Sequence, residues 1–449
     1  MIEAAQPDVR RLYVHCVTGL PSQRARGWIR GLDWLPERAL VMAGAGDLVC
    51  LPCPVDEDLL GFLNGLGVGP GPGGIIVPSP VTSTAADPSL VTRLGADRAL
   101  LERVAGMMPP GGVLQLHPYA STSEVRALAG AFEAAGVHRV RVLGGAPEAA
   151  ERADRKHTVR ARALALGVPV AEGEVVELPF AGGRRRRDLE PVRAAVQRQM
   201  RHTGRVIVRG SEGVAGSSTF VVGRGGDDTD GLLRRLGALR DNRIYLVEAM
   251  VDLIASPNLR LKVSEEGAVS GVVATDQRWE GLLVHGGNIY PSGSRLVEVM
   301  ESWARTMAAW LHAEGFAGDL GLDFVEHRNP RTGMPDVFLA EVNPRVNGAH
   351  YPLALRERIN TVRAASGSAP VEAFASGLLE THARTFPDLC EALGPLLFSH
   401  ERGRGIVPYA AGPLAEGGCA AVALAPSSVE AMELYARARA ALETPWAMR

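Results

Sequence analysis

Between residues 10 and 150, apolar runs of strand length alternate with segments of helical spacing, and this alternation narrows the fold more than any other feature. Arg11 to Val17 (RLYVHCV) and Asp47 to Cys53 (DLVCLPC) read as strands. Asp56 to Leu66 places Leu59, Leu60, Phe62 and Leu63 at helical spacing. The run Gly69 to Gly74 (GPGPGG) permits neither helix nor ladder and reads as a loop. Ile75 to Val77 is a short buried strand and Val113 to Leu116 another. Ser121 opens a helix with the capping pattern Ser121-x-x-Glu124, which ends near Gly136 before the strand Val137 to Leu143. Strand and helix in alternation predict a parallel sheet with helices on its faces.

A second unit begins near Asp154. Lys156 to Leu166 reads as a helix stopped by Gly167, and Val168-Pro169-Val170 leads into a strand around Val175 to Leu178. A loop carrying Arg184 to Arg187 precedes a helix from Asp188 to about His202. Arg205 to Arg209 is a strand, Gly210 to Thr219 a loop rich in Gly and Ser, and Phe220 to Val222 the return strand. After the strand Ile244 to Val247 the chain turns β-rich, with Asn258 to Val263, Val269 to Thr275, Gly321 to His327 and Asp336 to Val342. One long helix runs from about Arg295 to Gly315, and the tail holds a strand, Ala420 to Leu424, and a helix from Ser428 to about Leu442. For 449 residues, at about 150 per domain, the expected units are 1–150, 151–245, 246–395 and a closing segment 396–449.

Composition removes several classes. Hydrophobic residues at 46% and charged residues at 22% exclude a disordered chain. With 48 Lys+Arg against 50 Asp+Glu, there is no basic excess of the kind that drives general nucleic-acid binding. The best apolar run, Ala39 to Cys53, is broken by Asp47, and the first residues, MIEAAQPDVRR, lack the apolar core of a secretory signal. Five cysteines do not make a disulfide framework, so a cytoplasmic protein without membrane partners is expected. Lys156 and Lys262 are the only lysines among 48 basic residues.

The chemistry concentrates in Phe338 to Gly348, FLAEVNPRVNG. Glu341 and Asn343 lie two positions apart on a strand and share a face. Pairing with Gly321 to His327 across the turn Asn329 to Pro335 brings Asp323 roughly opposite Glu341. Oxygen donors so placed suit Mg²⁺, and Arg345 offers a planar fork for a carboxylate or phosphoryl group. Taken alone, the Glu-x-Asn-x-Arg pattern serves equally well as a polar strand end with a surface salt bridge. A second feature, RVIVRGSEGVAGSST, delivers Arg209 into a loop whose N–H groups can reach phosphate oxygens. On its own, a flexible hairpin loop is the commoner meaning of such a run. Cys50 and Cys53 read as buried strand cysteines, Arg184 to Arg187 as a solvated loop with a grip on an acidic peptide or a carboxylate terminus as the alternative, and His350 as a surface loop histidine with a substrate contact as the alternative. Ser217 and Ser218 have no assignable His and Asp partners that would make them nucleophiles.

In this order, from about Asp154 to Tyr351, these segments resemble the ATP-grasp superfamily of carboxylate–amine ligases. The resemblance implies a two-lobed fold of α+β lobes with ATP between them. It implies that Lys156 and Arg209 contact phosphates, Arg209 standing where lysine is usual. Gly210 to Thr219, with Gly213, Gly216, Ser217 and Ser218, becomes a flap over the nucleotide. The segment around Glu248, Ala249, Met250 and Val251 becomes an adenine-binding hinge acting through backbone groups. Asn258 lies near the ribose position, where a carboxylate is commoner. Asp323, Glu341 and Asn343 become Mg²⁺ ligands, Arg345 the arginine beside the transferred phosphate, and Arg260, Asn347 and Gly348 substrate contacts.

The residues before 150 resemble a pre-ATP-grasp domain, and the whole layout is most similar to the peptide ligases of pheganomycin-type biosynthesis. That likeness implies a C–N bond-forming, ADP-releasing enzyme that takes a small-molecule carboxylate and a peptide or amino-acid amine, with a homodimer as an open assembly state. Three rivals remain: a dipeptide-type ligase, a kinase on the same fold, and a nucleotide-binding regulator without catalysis.

Overall fold

The computed structural model describes residues 9–17, 34–80, 89–178, 188–212, 218–238, 243–281 and 284–443. Its first unit is a five-stranded parallel sheet built from β1 (Val9–Val14), β2 (Leu48–Cys50), β3 (Ile75–Ile76), β4 (Val113–Pro118) and β5 (Val140–Val142), in the order β3-β2-β1-β4-β5. Helices α1 (Glu57–Gly65), α2 (Leu90–Ala96), α3 (Arg98–Gly106) and α4 (Ser123–Ala134) complete it. Every residue of β4 is buried, as a central parallel strand requires. The capping expectation shifts by one residue. Thr122, not Ser121, caps α4 by accepting from Val125 N, while Ser121 Oγ donates to Gly145 O. Sequence spacing alone missed α2 and α3, both of which sit between the GPGPGG loop and β4.

Two short helices, α5 (Pro147–Asp154) and α6 (Lys156–Ala165), lead into a four-stranded antiparallel sheet. Its strands are β6 (Gly173–Glu177), β7 (Arg205–Gly210), β8 (Thr219–Gly223) and β9 (Ile244–Ala249), ordered β6-β9-β7-β8. Helices α7 (Glu190–Thr203) and α8 (Thr229–Ala238) cover it, burying Val192, Val196, Leu232 and Leu236 against Val206, Val208, Phe220 and Tyr245.

The rest of the chain forms a nine-stranded antiparallel sheet. Its strands are β10 (Leu253–Ala255), β11 (Pro257–Val263), β12 (Val269–Glu280), β13 (Val284–Tyr290), β14 (Gly318–Arg328), β15 (Pro335–Asn343), β16 (Ala373–Glu380), β17 (Gly405–Ala410) and β18 (Gly418–Ala425). Helix α9 (Val297–Ala313) lays Met300, Ala304, Met307 and Leu311 on Leu259, Leu261, Leu320 and Leu322. Helices α10 (His350–Ala365), α11 (Phe386–Leu393) and α12 (Ser428–Glu443) pack with β16 to β18. That packing continues into the first unit: Tyr13, Leu40 and Leu63 share one core with Ile359, Phe386 and Ile406. Two isolated bridges, Ala120 to Arg345 and Val170 to Leu339, tie the units together next to β15. All five cysteines are free thiols, and none of the described helices is long and apolar enough to cross a membrane.

Candidate active site

A cavity of about 880 Å³ lies where the three sheets meet. Its floor is the β14–β15 hairpin, in which Asp323 pairs across the ladder with Glu341. Asn258, on the other neighbouring strand, is also in register with Asp323. Three side-chain amides converge on this one carboxylate: Asn258 Nδ2 at 2.6 Å and Gln277 Nε2 at 2.5 Å donate to Oδ1, and Asn343 Nδ2 at 2.9 Å donates to Oδ2. Burial pushes the Asp323 carboxyl up to about 6, and the charge of Glu341 adds to the rise against the pull of the amides. Two facing carboxylates of unfavourable mutual charge, an amide oxygen on Asn343 and the buried, unpartnered Asn258 Oδ1 form a hard-oxygen donor set suited to Mg²⁺. Among the described residues no group of three or more His, Cys, Asp and Glu gathers as a metal site.

The cationic side chains arrive from three directions. Lys156, at the first turn of α6, places Nζ 3.3 Å from Glu341 Oε1 and is itself buried. Arg209 at the end of β7 donates from Nε and Nη2 to Glu248 Oε2 at 2.9 and 2.6 Å, and from Nη1 to Ala340 O. Burial opposes the Arg209 charge, but Glu248, Glu341 and Asp323 together hold it above its ordinary range. Arg345 Nη1 donates to Asp154 Oδ1, with Tyr119 of the first unit beside it. Its Nε is buried and has no hydrogen-bond partner among the described residues. Asn347 and Gly348 also line the cavity, and room for them is built in. A Cβ on Gly321 would strike the Asn347 amide, and one on Gly348 would press on His285 and Asn288.

Four expectations change. Glu248 is 2% exposed and carries a side-chain role as the shared counter-ion of Arg209 and of Arg160, whose Nη1 lies 3.0 Å from Oε1. Ala249, Met250 and Val251 line the cavity, but the N–H groups of Ala249 and Met250 already donate to Glu172 O and Arg205 O, so these two N–H groups are not free donors for a base. Asn258 points at Asp323 because the strand register puts it there, so its amide is engaged by that carboxylate. Arg260 does not line the cavity. Strand alternation gives it the same face as Asn258, but one step further on it is drawn between Asp319 at 3.9 Å and Glu357 at 3.6 Å. Ser218 does line the cavity, its Oγ donating to Glu212 O, whereas Gly213, Gly216, Ser217 and Arg184 to Arg187 lie outside the described residues.

The remaining lining of the same cavity, its second chamber, is not revealed by sequence spacing. Its walls include Arg38 and Tyr119 of the first unit, Trp279 and His285 of the β12–β13 hairpin, and Tyr409 and Tyr435 near the end of the chain. Nothing in the order of these residues groups them; only the docking of the first unit on β16 to β18 does.

The family model described as the Pre ATP-grasp domain matches residues 36–134. Among solved structures, N5-carboxyaminoimidazole ribonucleotide synthetase from Thermus thermophilus superposes with a TM-score of 0.51 at 15% identity, covering 98% of this chain and 99% of that one. N5-carboxyaminoimidazole synthetase from Staphylococcus aureus complexed with ADP gives 0.55 at 9% identity, covering 97% and 98%. The corresponding synthase from Aspergillus clavatus, in complex with ADP and its aminoimidazole ribonucleotide, gives 0.54 at 13% identity, covering 97% and 99%. By sequence, no curated protein matches the chain. These likenesses assign the fold: a pre-ATP-grasp unit followed by an ATP-grasp architecture.

Proposed function

We propose that this protein is an ATP-dependent carboxylate–amine ligase that forms an amide bond through an acyl phosphate and releases ADP. The observation that carries the reading is the gathering of Lys156, Arg209, Arg345 and the Asp323/Glu341/Asn343 donors on one cavity of the ATP-grasp fold. Asp323, Glu341 and Asn343 would hold Mg²⁺, which when bound neutralises phosphate charge and polarises the phosphoryl oxygens. Lys156 from α6 and Arg209 from β7 balance the negative charge of the nucleotide tail. Arg345, held by Asp154 and lining the cavity, offers its guanidinium charge to the reacting carboxylate and phosphoryl group.

A carboxylate oxygen of the first substrate forms a bond to the γ-phosphorus as the bridging β–γ bond breaks and ADP leaves. The amine nitrogen of the second substrate then bonds to the acyl carbon, inorganic phosphate departs with the C–O electron pair, and the nitrogen gives up a proton. The finer reading is a peptide ligase of natural-product biosynthesis, which joins a nonproteinogenic amino acid through its carboxylate to the N-terminus of a peptide. The chain layout supports it, with a pre-ATP-grasp unit ahead of a complete ATP-grasp unit.

The test is hydroxylamine trapping against a panel of carboxylates with ATP and Mg²⁺. The expected outcome is a hydroxamate formed in equal amount with ADP. AMP as the nucleotide product would overturn the reading. A stable phosphorylated product without hydroxamate would make the protein a kinase, and nucleotide binding without turnover would make it a regulator.

A further inference from the structure

Five cationic side chains line the cavity among the described residues: Arg38, Lys156, Arg209, Arg345 and Arg439. Four of them hold a carboxylate of the protein. Lys156 faces Glu341, Arg209 is bonded to Glu248, Arg345 to Asp154, and Arg439 to Glu443 at 2.8 Å. Arg38 alone makes no ion pair or hydrogen bond to the described residues. It stands on the 3₁₀ turn Leu35–Val41 of the first unit, where its six neighbours on the turn are all buried. The turn is fixed from outside by Glu37, which accepts from Gly412 N at 2.8 Å. The guanidinium is therefore carried on a rigid support and, among the described residues, left without an anion. Tyr351 and Tyr409 mark where it sits: burial drives both phenols up, and the Arg38 charge works against that rise in each.

We infer that Arg38 is the anchor for a carboxylate on the amine substrate, so that the second chamber takes a free α-amino acid or a short peptide with its C-terminus unblocked. The inference rests on the carboxylate–amine ligase reading for the identity of the first substrate. Under that reading Arg345 claims the carboxylate that is activated, at the metal end of the cavity. A second, separate guanidinium then calls for a second anion, and a planar fork binds a carboxylate through two parallel hydrogen bonds. The same chamber exposes Glu280 and Glu380, so its charge is mixed, as a zwitterion requires. A peptide long enough to leave the chamber could not bring its terminal carboxylate back to Arg38, which sets an upper limit on acceptor length.

The experiment compares the wild-type protein with Arg38→Met and Arg38→Lys. The probes are the twenty L-amino acids and the matching amino-acid amides. Binding is read calorimetrically in the presence of Mg²⁺ and a non-hydrolysable ATP analogue, and KM with the carboxylate found by hydroxylamine trapping. At least one amino acid is expected to bind wild type tenfold or more tightly than its amide. Arg38→Met should erase that ratio while the unliganded melting temperature stays unchanged, since the side chain makes no ion pair or hydrogen bond among the described residues. Arg38→Lys should keep part of the preference and shows that any loss in the Met variant is one of charge. An equal acid-to-amide ratio in wild type and Arg38→Met overturns the assignment, as does a wild type that binds no acid in preference to its amide. If no carboxylate yields ADP and hydroxamate, the ligase reading fails, and the binding comparison still decides the role of Arg38.

Discussion

Asp323 is unfavourable for the fold and yet sits at the centre of the candidate site. Its carboxyl is pushed up to about 6 by burial and then by Glu341 across the ladder. In the unfolded chain an aspartate releases its proton near 3.9. Between that value and about 6 the folded protein binds more protons than the unfolded one, so this group costs stability as pH rises through the window. Asp323→Asn removes the cost and keeps an acceptor for the amides of Asn258 and Gln277. The unliganded variant should melt a few degrees above wild type at pH 7, with the gap closing toward pH 4, while ADP release is lost. A variant that melts below wild type at pH 7 would show that Asp323 is held ionised by a partner rather than strained by Glu341. Mg²⁺ with nucleotide should raise the wild-type melting temperature and leave the variant's nearly unmoved.

Among the elements, the junction of α6, β7 and β9 rests on Glu248. It lies between Arg160 from α6 and Arg209 from β7, nearly out of reach of water. Removing it leaves two buried guanidinium groups without a counter-charge, a loss of about 3–5 kcal/mol for a broken buried pair. Glu248→Ala should therefore lower the urea midpoint sharply, whereas Glu248→Gln, which retains one acceptor, should cost less. Equal midpoints for Glu248→Ala and wild type would mean that water reaches the pair. Sequence reading captured the strands here because short apolar runs mark β7, β9, β14 and β15, and the short turn before Pro335 fixes the register that sets Asp323 against Glu341. It gave Glu248 a backbone role because nothing in the local pattern says which side chain will meet two arginines 39 and 88 positions away. Arg260 was misassigned for a related reason. Alternation tells which face a side chain takes, not how far along the strand the cavity ends. The second chamber was illegible altogether, since Arg38, His285, Tyr351 and Tyr409 meet only after separate units dock.

At the scale of the whole molecule, that docking has both an apolar and a polar part. The apolar part is the core shared by Tyr13, Leu40 and Leu63 with Ile359, Phe386 and Ile406, which leaves the first unit no independent interior on that side. The polar part is a buried chain across the same boundary. His15 on the first unit lies 3.0 Å from the Tyr351 hydroxyl and 3.4 Å from His117 Nδ1, and His117 Nε2 is 3.1 Å from Asp319. His350 on α10 lies 3.7 Å from the same Asp319. Burial holds His15 well below its ordinary value and, against the pull of Asp319, lowers His350 to about 3. In the unfolded chain both titrate near 6.5. Below that pH the unfolded state takes up protons that the folded state refuses, so stability falls as acid is added. Each neutral buried histidine contributes a slope of about 1.4 kcal/mol per pH unit between roughly pH 6 and 4. His350→Gln should reduce the acid-side slope of the unfolding free energy by about that amount and His15→Gln by a similar amount. Because the boundary is crossed by a single core, unfolding should remain one transition by both near-ultraviolet and far-ultraviolet circular dichroism as the pH is lowered. An unchanged slope in both variants would place the acid sensitivity outside this boundary, and a first unit that melts separately at pH 5 would mean that the shared core does not bind the two parts into one cooperative structure.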